Sequence, residues 1–235
     1  MPEDAPGVPR TPWAYQYVIK PAVRGLMDLH GGYDVYGREH VPLDRGALIC
    51  PNHLSYLDPP VIGSLVPRHT YFMAKRELFS IPVLGWLIRK VYAFPVDREG
   101  SDRAAVRTAL EVLQAGNLLT IFIEGGRSPD GSLQPASTGP ALIANRAGVV
   151  IVPAALRFTD KMLPRGSAFM HRARLQVDFG EPVDPADFGD GRLDKDQLRA
   201  LTEAVMQRIE ALQKAQYERT GEVAPPRVKE IEDAG

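Results

Sequence analysis

A histidine and an aspartate stand five residues apart in Asn52-His53-Leu54-Ser55-Tyr56-Leu57-Asp58-Pro59. The pair suits general-base chemistry at a hydroxyl. Imidazole titrates near neutrality and can take the proton of a hydroxyl as that oxygen attacks an acyl carbon. A carboxylate on the other ring nitrogen fixes the tautomer and stabilises the imidazolium that forms. In a continuous helix a five-residue spacing turns two side chains about 140° apart, so the pair has to sit in a turn. The flanking residues supply one. Ala47-Leu48-Ile49-Cys50 reads as a buried strand, and Pro59 suits the first position of a helix with Asp58 as its N-cap. A carboxylate occupied in capping has fewer lone pairs for an imidazole, and His-x4-Asp matches arise by chance, so the pair needs context.

The context is Ile121-Phe122-Ile123-Glu124-Gly125-Gly126-Arg127-Ser128, where an apolar strand runs into a glutamate, two glycines and an arginine. Paired glycines let successive N–H groups converge on an anion, and Arg127 adds a bidentate contact to a phosphate. Together the two blocks resemble the glycerolipid acyltransferase family that includes 1-acylglycerol-3-phosphate acyltransferase, over about residues 36–182. Two features depart from the family pattern. Ile123 and Gly126 stand where the family has Pro and Thr, and no basic residue precedes Gly139. Both departures bear on the phosphate-bearing acceptor and leave acyl transfer in place.

The resemblance implies transfer of a fatty acyl group from a thioester to the free hydroxyl of 1-acyl-sn-glycerol-3-phosphate, giving phosphatidic acid in phospholipid biosynthesis. Another lyso-lipid or glycerol-3-phosphate is the alternative acceptor. It casts His53 as base and Asp58 as its orienting partner. Gly125, Gly126 and Arg127 then hold the acceptor's phosphate with Arg98, and Lys75 lies by a substrate channel. Glu124 supports that site through the arginine or the acceptor's polar groups. No cofactor and no metal are expected; acyl-CoA or an acyl carrier protein thioester is the co-substrate. The absence of a Gly-x-Ser-x-Gly elbow argues for direct transfer, and Ser55 reads as structural. A metal-dependent hydrolase using His53, Asp58 and Glu124 is a rival reading, which no His-Glu-x-x-His or paired-Cys spacing supports. A lipid-binding module without catalysis is a second, and retention of both His53 and Asp58 speaks against it.

The totals set bounds. With 235 residues, of which 44% are apolar, the chain can bury one sizeable core. A formal charge of −1, with no basic block interleaved by aromatics, gives no argument for nucleic acid. The single cysteine, Cys50, excludes an intrachain disulfide and reads as a small core residue at a strand end. No apolar stretch reaches the ~18 residues that span a bilayer. The expectation is a peripheral protein on the cytoplasmic face of the cell membrane, meeting a lysophospholipid, a thioester donor and a membrane surface.

The elements that must position these residues alternate between strand and helix, which argues for an α/β fold: a mixed, mostly parallel sheet flanked by helices, with an N-terminal amphipathic helix. In residues 13–29, Trp13, Tyr17, Val18, Ala22, Leu26 and Leu29 recur at helical spacing, and Pro21 should kink or divide the helix. That stripe fits either a membrane interface or the protein's own core, and the implied lipid substrate favours the interface. Residues 81–88 are the most apolar, fit to line an acyl channel, dip into a leaflet or pack on the sheet. Val149–Leu156 reads as a strand broken by Pro153, and His40 as solvated. His30 and His69 flank loops without a carboxylate at the spacing of His53. Three regions result: 1–30 as tail and interface helix, 31–219 as the acyltransferase domain, and 220–235 as a mobile tail.

Overall fold

Among the described residues nine strands form: β1 Tyr33–Tyr36, β2 Ala47–Pro51, β3 Thr70–Lys75, β4 Ala93–Val96, β5 Leu118–Thr120, β6 Ala136–Ser137, β7 Val150–Arg157, β8 Leu175–Phe179 and β9 Ile231–Glu232. Six α-helices among the described residues accompany them: α1 Lys20–Leu29, α2 Asp58–Leu65, α3 Arg103–Gln114, α4 Gly139–Ala147, α5 Thr159–Met162 and α6 Lys195–Glu218. This computed structural model describes residues 13, 15–82, 85, 88–89, 92–96, 102–167 and 169–233.

Seven strands make one sheet in the order β1-β8-β7-β2-β5-β3-β4. Every neighbouring pair in it is parallel except β7 with β8, so the mixed, mostly parallel sheet is the one the alternation implies. β2 lies at its centre and is buried along its whole length. Its side chains alternate between two cores. Leu48 and Cys50 pack with α3, α4 and α6, while Ala47 and Ile49 pack with α1 and α2. Because β2, β5 and β7 run the same way, their C-terminal ends open along one edge, where parallel sheets place ligands.

Pro153 does not break β7. Its carbonyl accepts from Gly180 N at 2.8 Å, so its missing N–H faces β8, where the ladder begins only at Ala154. The N-terminal helix divides as Pro21 requires: a π-helical turn, Tyr15–Ile19, leads into α1 with Pro21 in its first turn. The apolar stripe faces outward, with Trp13 71%, Tyr17 73% and Leu29 73% exposed. Tyr15, Lys20 and Met27 form the inward face instead. Buried Lys20 stays solvated by protein: Nζ donates to Val66 O at 2.9 Å and Arg68 O at 3.2 Å, carbonyls of the C-cap of α2 and of the loop that follows it.

Residues 220–233 are docked, where a mobile tail was expected. β9 pairs with β6, Val228 N donates to Leu133 O at 2.9 Å, and buried Arg227 forks onto Glu203. Composition alone could not show this, because the partners lie in α6 and the loop before β6. His40 is likewise engaged, its Nδ1 2.9 Å from Phe179 O.

His69 is buried just before β3 with no hydrogen-bond partner for either ring nitrogen among the described residues. Tyr15, Tyr71 and Tyr92 meet it edge-on at 4.7, 4.9 and 4.7 Å. Burial, aided by the charge of Lys20, pushes this imidazole down to about 3. The unfolded chain takes up the proton below about 6.5, whereas the folded chain resists it until far lower. This group therefore adds stability at neutral pH that is lost as pH falls. Lowering pH from 7 to 4.5 should cost about 2–3 kcal/mol through this residue. In urea titrations at the two pH values, His69→Phe should show a correspondingly smaller acid loss; an identical loss in both proteins refutes the account.

Candidate active site

The site is assembled where β2 gives way to α2. His53 Nδ1 lies 2.7 Å from Asp58 Oδ2, and the same oxygen accepts from Leu54 N at 2.6 Å and Ser55 N at 2.8 Å. Asp58 is thus not the N-cap. It is the first residue of α2, after Leu57, and its carboxylate turns back to close the preceding loop. The expected competition between capping and imidazole binding does not arise, since one oxygen serves the backbone of the preceding loop and the ring together. An oxygen that already accepts two backbone N–H groups is acting as an acceptor, so the proton of the ring contact sits on Nδ1, and Nε2 is the ring nitrogen left facing away from Asp58. Asp58 is fully buried and the His53 side chain is 14% exposed, so of the pair the imidazole alone reaches outward.

Three contacts aim this histidine. Asn52, fully buried, extends the β2–β7 ladder past its last pair: its amide nitrogen donates to Leu156 O at 3.1 Å and its oxygen accepts from Leu156 N at 2.7 Å. The ring of Phe122 stacks on His53 at 4.0 Å and 22°. Glu124 grips the backbone, Oε1 accepting from His53 N at 3.1 Å and Oε2 from Gln134 N at 3.0 Å. Glu124 therefore acts on the main chain, where contact with the arginine or the acceptor was expected. Burial pushes its carboxyl up to about 8 against the opposing pull of those two donors.

The glycine block folds over the histidine. Ser128 N donates to His53 O at 2.7 Å, and Gly125 takes a left-handed φ of 65°. Gly125 N–H is spent on Phe122 O at 3.0 Å, so it cannot also bind an anion as the paired-glycine reading supposed. Among the described residues nothing accepts from the N–H of Gly126 or Arg127. The Arg127 guanidinium lies 3.7 Å over the ring of Tyr56 and has no carboxylate within ion-pair distance among the described residues. Lys75 is exposed at the end of β3, along the same edge of the sheet. Arg98 lies outside the described residues.

Beside the histidine, an apolar chamber of about 390 Å³ runs between α1, α2 and β3. Phe122 and Tyr56 stand at the site end, with Phe72, Met73, Leu78 and Ile88 along it. Tyr15, Lys20 and Ser64 lie toward the N-terminal edge of the sheet. Ile88 brings part of the apolar 81–88 stretch to this wall; residues 83, 84, 86 and 87 are outside the description.

Residues 32–157 match the family model described as Acyltransferase. The chain belongs to the acyltransferase family. The 1-acyl-sn-glycerol-3-phosphate acyltransferase of Bacillus subtilis is 32% identical over 193 residues, covering 82% of this chain and 94% of that one. An enzyme of the same name from Streptococcus pneumoniae is 30% identical over 175 residues, 74% of this chain and 64% of its own. The crystal structure of the 1-acyl-sn-glycerophosphate acyltransferase PlsC from Thermotoga maritima superposes with a TM-score of 0.67 at 28% identity, covering 83% of this chain and 78% of that one.

In this acyltransferase, sequence reasoning found the histidine, the carboxylate and the glycine loop. It assigned no role to Asn52, Tyr56 or Phe122, although all three stand inside the quoted blocks. Arg165, whose Nη2 donates to Arg127 O at 2.5 Å and Ser128 O at 3.0 Å, gave no sequence signal at all.

Asn52→Ala should leave the N–H and C=O of Leu156 buried and unpaired, at a cost of about 2–4 kcal/mol. Urea unfolding at neutral pH measures it, and a loss below about 0.5 kcal/mol would mean water replaces the amide.

Proposed function

We infer that this acyltransferase moves a fatty acyl group from a thioester to the free hydroxyl of 1-acyl-sn-glycerol-3-phosphate, forming phosphatidic acid. The observation carrying the reading is the Asp58–His53 contact of 2.7 Å beside an apolar chamber of about 390 Å³. At about 30 Å³ per water-sized group, that volume holds roughly a dozen methylenes, the scale of a fatty acyl chain. The relatives' names supply the acceptor, a lysophospholipid with one free hydroxyl and a phosphate.

With the acyl chain in the chamber, its carbonyl stands by the His53 ring. Nε2 takes the proton of the acceptor's hydroxyl while that oxygen attacks the carbonyl carbon. The tetrahedral intermediate collapses, the C–S bond breaks, and the proton passes to the departing thiolate. Asp58 stabilises the imidazolium in between and keeps the tautomer that allows it. Arg127 stands on Tyr56 with its fork free for the acceptor's phosphate, with the Gly126 and Arg127 N–H groups adding donors. The donor is acyl-CoA or acyl carrier protein, and no cofactor takes part.

The outward stripe of α1 supports a peripheral position on a membrane. Trp13, Tyr17, Val18, Leu26 and Leu29 are exposed, and no helix among the described residues is long and apolar enough to cross a bilayer. On this reading, residues 13–30 are both anchor and chamber wall, and the face toward the cytoplasm carries the site. Domain limits follow: an interface helix to about residue 30, then one acyltransferase domain that includes the docked C-terminal stretch.

Three measurements test the reading. Transfer of labelled acyl groups to lysophosphatidic acid should fall by roughly 10²–10⁴-fold in His53→Ala with the fold unchanged, and retention of half the activity removes His53 from the chemistry. Arg127→Ala should raise the acceptor's KM by the worth of one charged hydrogen bond, about 1.5–3 kcal/mol, and Arg127→Lys should recover only part. A rise in the donor's KM alone would reassign the arginine. Replacing Tyr17, Leu26 and Leu29 by serine leaves the inward face of the helix intact and should release the protein from anionic vesicles. Undiminished sedimentation with vesicles would place the membrane contact elsewhere.

A further inference from the structure

Two phosphate-bearing substrates have to meet at His53 if the proposed reaction is right, and one arginine cannot serve both. Arg127 suits the acceptor by position. In a glycerol phosphate only a few bonds separate the attacking oxygen from phosphorus, so that phosphate must lie close to Nε2. The thioester carrier is different: its pantetheine arm places the phosphate far from sulfur.

A second cavity, of about 300 Å³, lies on the backbone side of the histidine. Leu54, Ser128 and Gly131 form its inner wall, and Lys161 and Arg165 its outer wall, with the carboxylate of Asp160 beside them. Ser128 links it to the base, since Ser128 N donates to His53 O at 2.7 Å. Arg165 links it to the glycine loop through Arg127 O and Ser128 O. Those bonds use one nitrogen of the guanidinium and fix its plane, leaving Nε and Nη1 unpartnered among the described residues. Arg165 is therefore joined to the main chain of His53 through one residue, Ser128, and two hydrogen bonds, whereas Arg127 stands over Tyr56. Lys161 and Arg165 are both exposed, and both lie past the family-matched residues 32–157. At about 30 Å³ per water-sized group, the space takes a phosphate with part of its ester arm.

We propose that this cavity between the glycine loop and the β7–β8 connection binds a phosphate of the acyl donor's carrier, through Lys161 and Arg165. The donor then straddles the histidine, with its acyl chain in the apolar chamber and its phosphate in the basic cavity. The proposal rests on the acyltransfer reading above.

Initial rates of transfer to saturating lysophosphatidic acid test it, using acyl-CoA, acyl carrier protein loaded with the same chain, and the S-acyl-N-acetylcysteamine thioester, which has no phosphate. Wild-type transfer from at least one thioester establishes the underlying activity before any variant is read; none from any of them refutes the acyltransfer reading and this proposal with it. Lys161→Ala should raise the KM for acyl-CoA roughly 3–10-fold, the scale of one exposed charged contact, and Lys161→Glu should raise it further. The phosphate-free thioester and lysophosphatidic acid should keep their KM values in both variants. A matching rise with acyl carrier protein identifies the pantetheine phosphate, and a rise with acyl-CoA alone identifies the nucleotide phosphates. An unchanged acyl-CoA KM, an equal rise for the phosphate-free thioester, or a rise in the acceptor's KM overturns the proposal.

Discussion

One carboxylate oxygen organises the site. Asp58 Oδ2 accepts from two backbone N–H groups of the turn and from the His53 ring. The backbone bonds close the turn between β2 and α2, and closing the turn carries the ring to the carboxylate. Folding of the turn and orientation of the ring are therefore the same event. The oxygen is fully buried, so losing any of the three donors would not be made good by water. The other oxygen, Oδ1, is buried with no partner among the described residues, which sharpens the dependence on the first.

Around that turn the protein uses side chains to finish what the sheet leaves open. β2 stops pairing with β7 at Pro51, and the Asn52 amide makes the next pair of bonds in place of backbone. β2 and β5 pair only to Thr120, after which Ile121 N reaches Ile49 O at 3.0 Å and Glu124 reaches His53 N. The site thus sits where ladders end and main-chain groups become available. Strand ends in a parallel sheet are rigid on one side and unpaired on the other, which suits a reacting centre.

The two sides of His53 differ in character. One side is apolar and closed by the inner face of α1, whose first turn is held by a buried ammonium on carbonyls of the C-cap of α2 and of the loop that follows it. The other side is polar and lies under the glycine loop. On the proposed reading, a helix that presents aromatic and aliphatic residues to the outside while walling an acyl-sized chamber can pass a lipid chain between bilayer and site with little exposure to water. Anchoring and substrate binding then share one element.

The sequence by itself determined the family and the class of fold. His53, Asp58 and the block from Glu124 to Ser128 were legible because a reacting group, its partner and a tight loop demand particular residue types at fixed spacing. The strands were legible because a central parallel strand such as β2 has to be apolar on both faces. Tertiary structure alone decided which way the amphipathic helix faces, since periodicity defines a stripe without saying what covers it. It also decided that Asp58 closes its loop, that Glu124 holds backbone, and that Gly125 N–H is already used. Those facts depend on groups brought together from distant parts of the chain, as Asn52 meets Leu156 and Arg165 meets the glycine loop. Hydrogen-bond partners are set by where the chain returns in space, and no local pattern of residue types encodes that return.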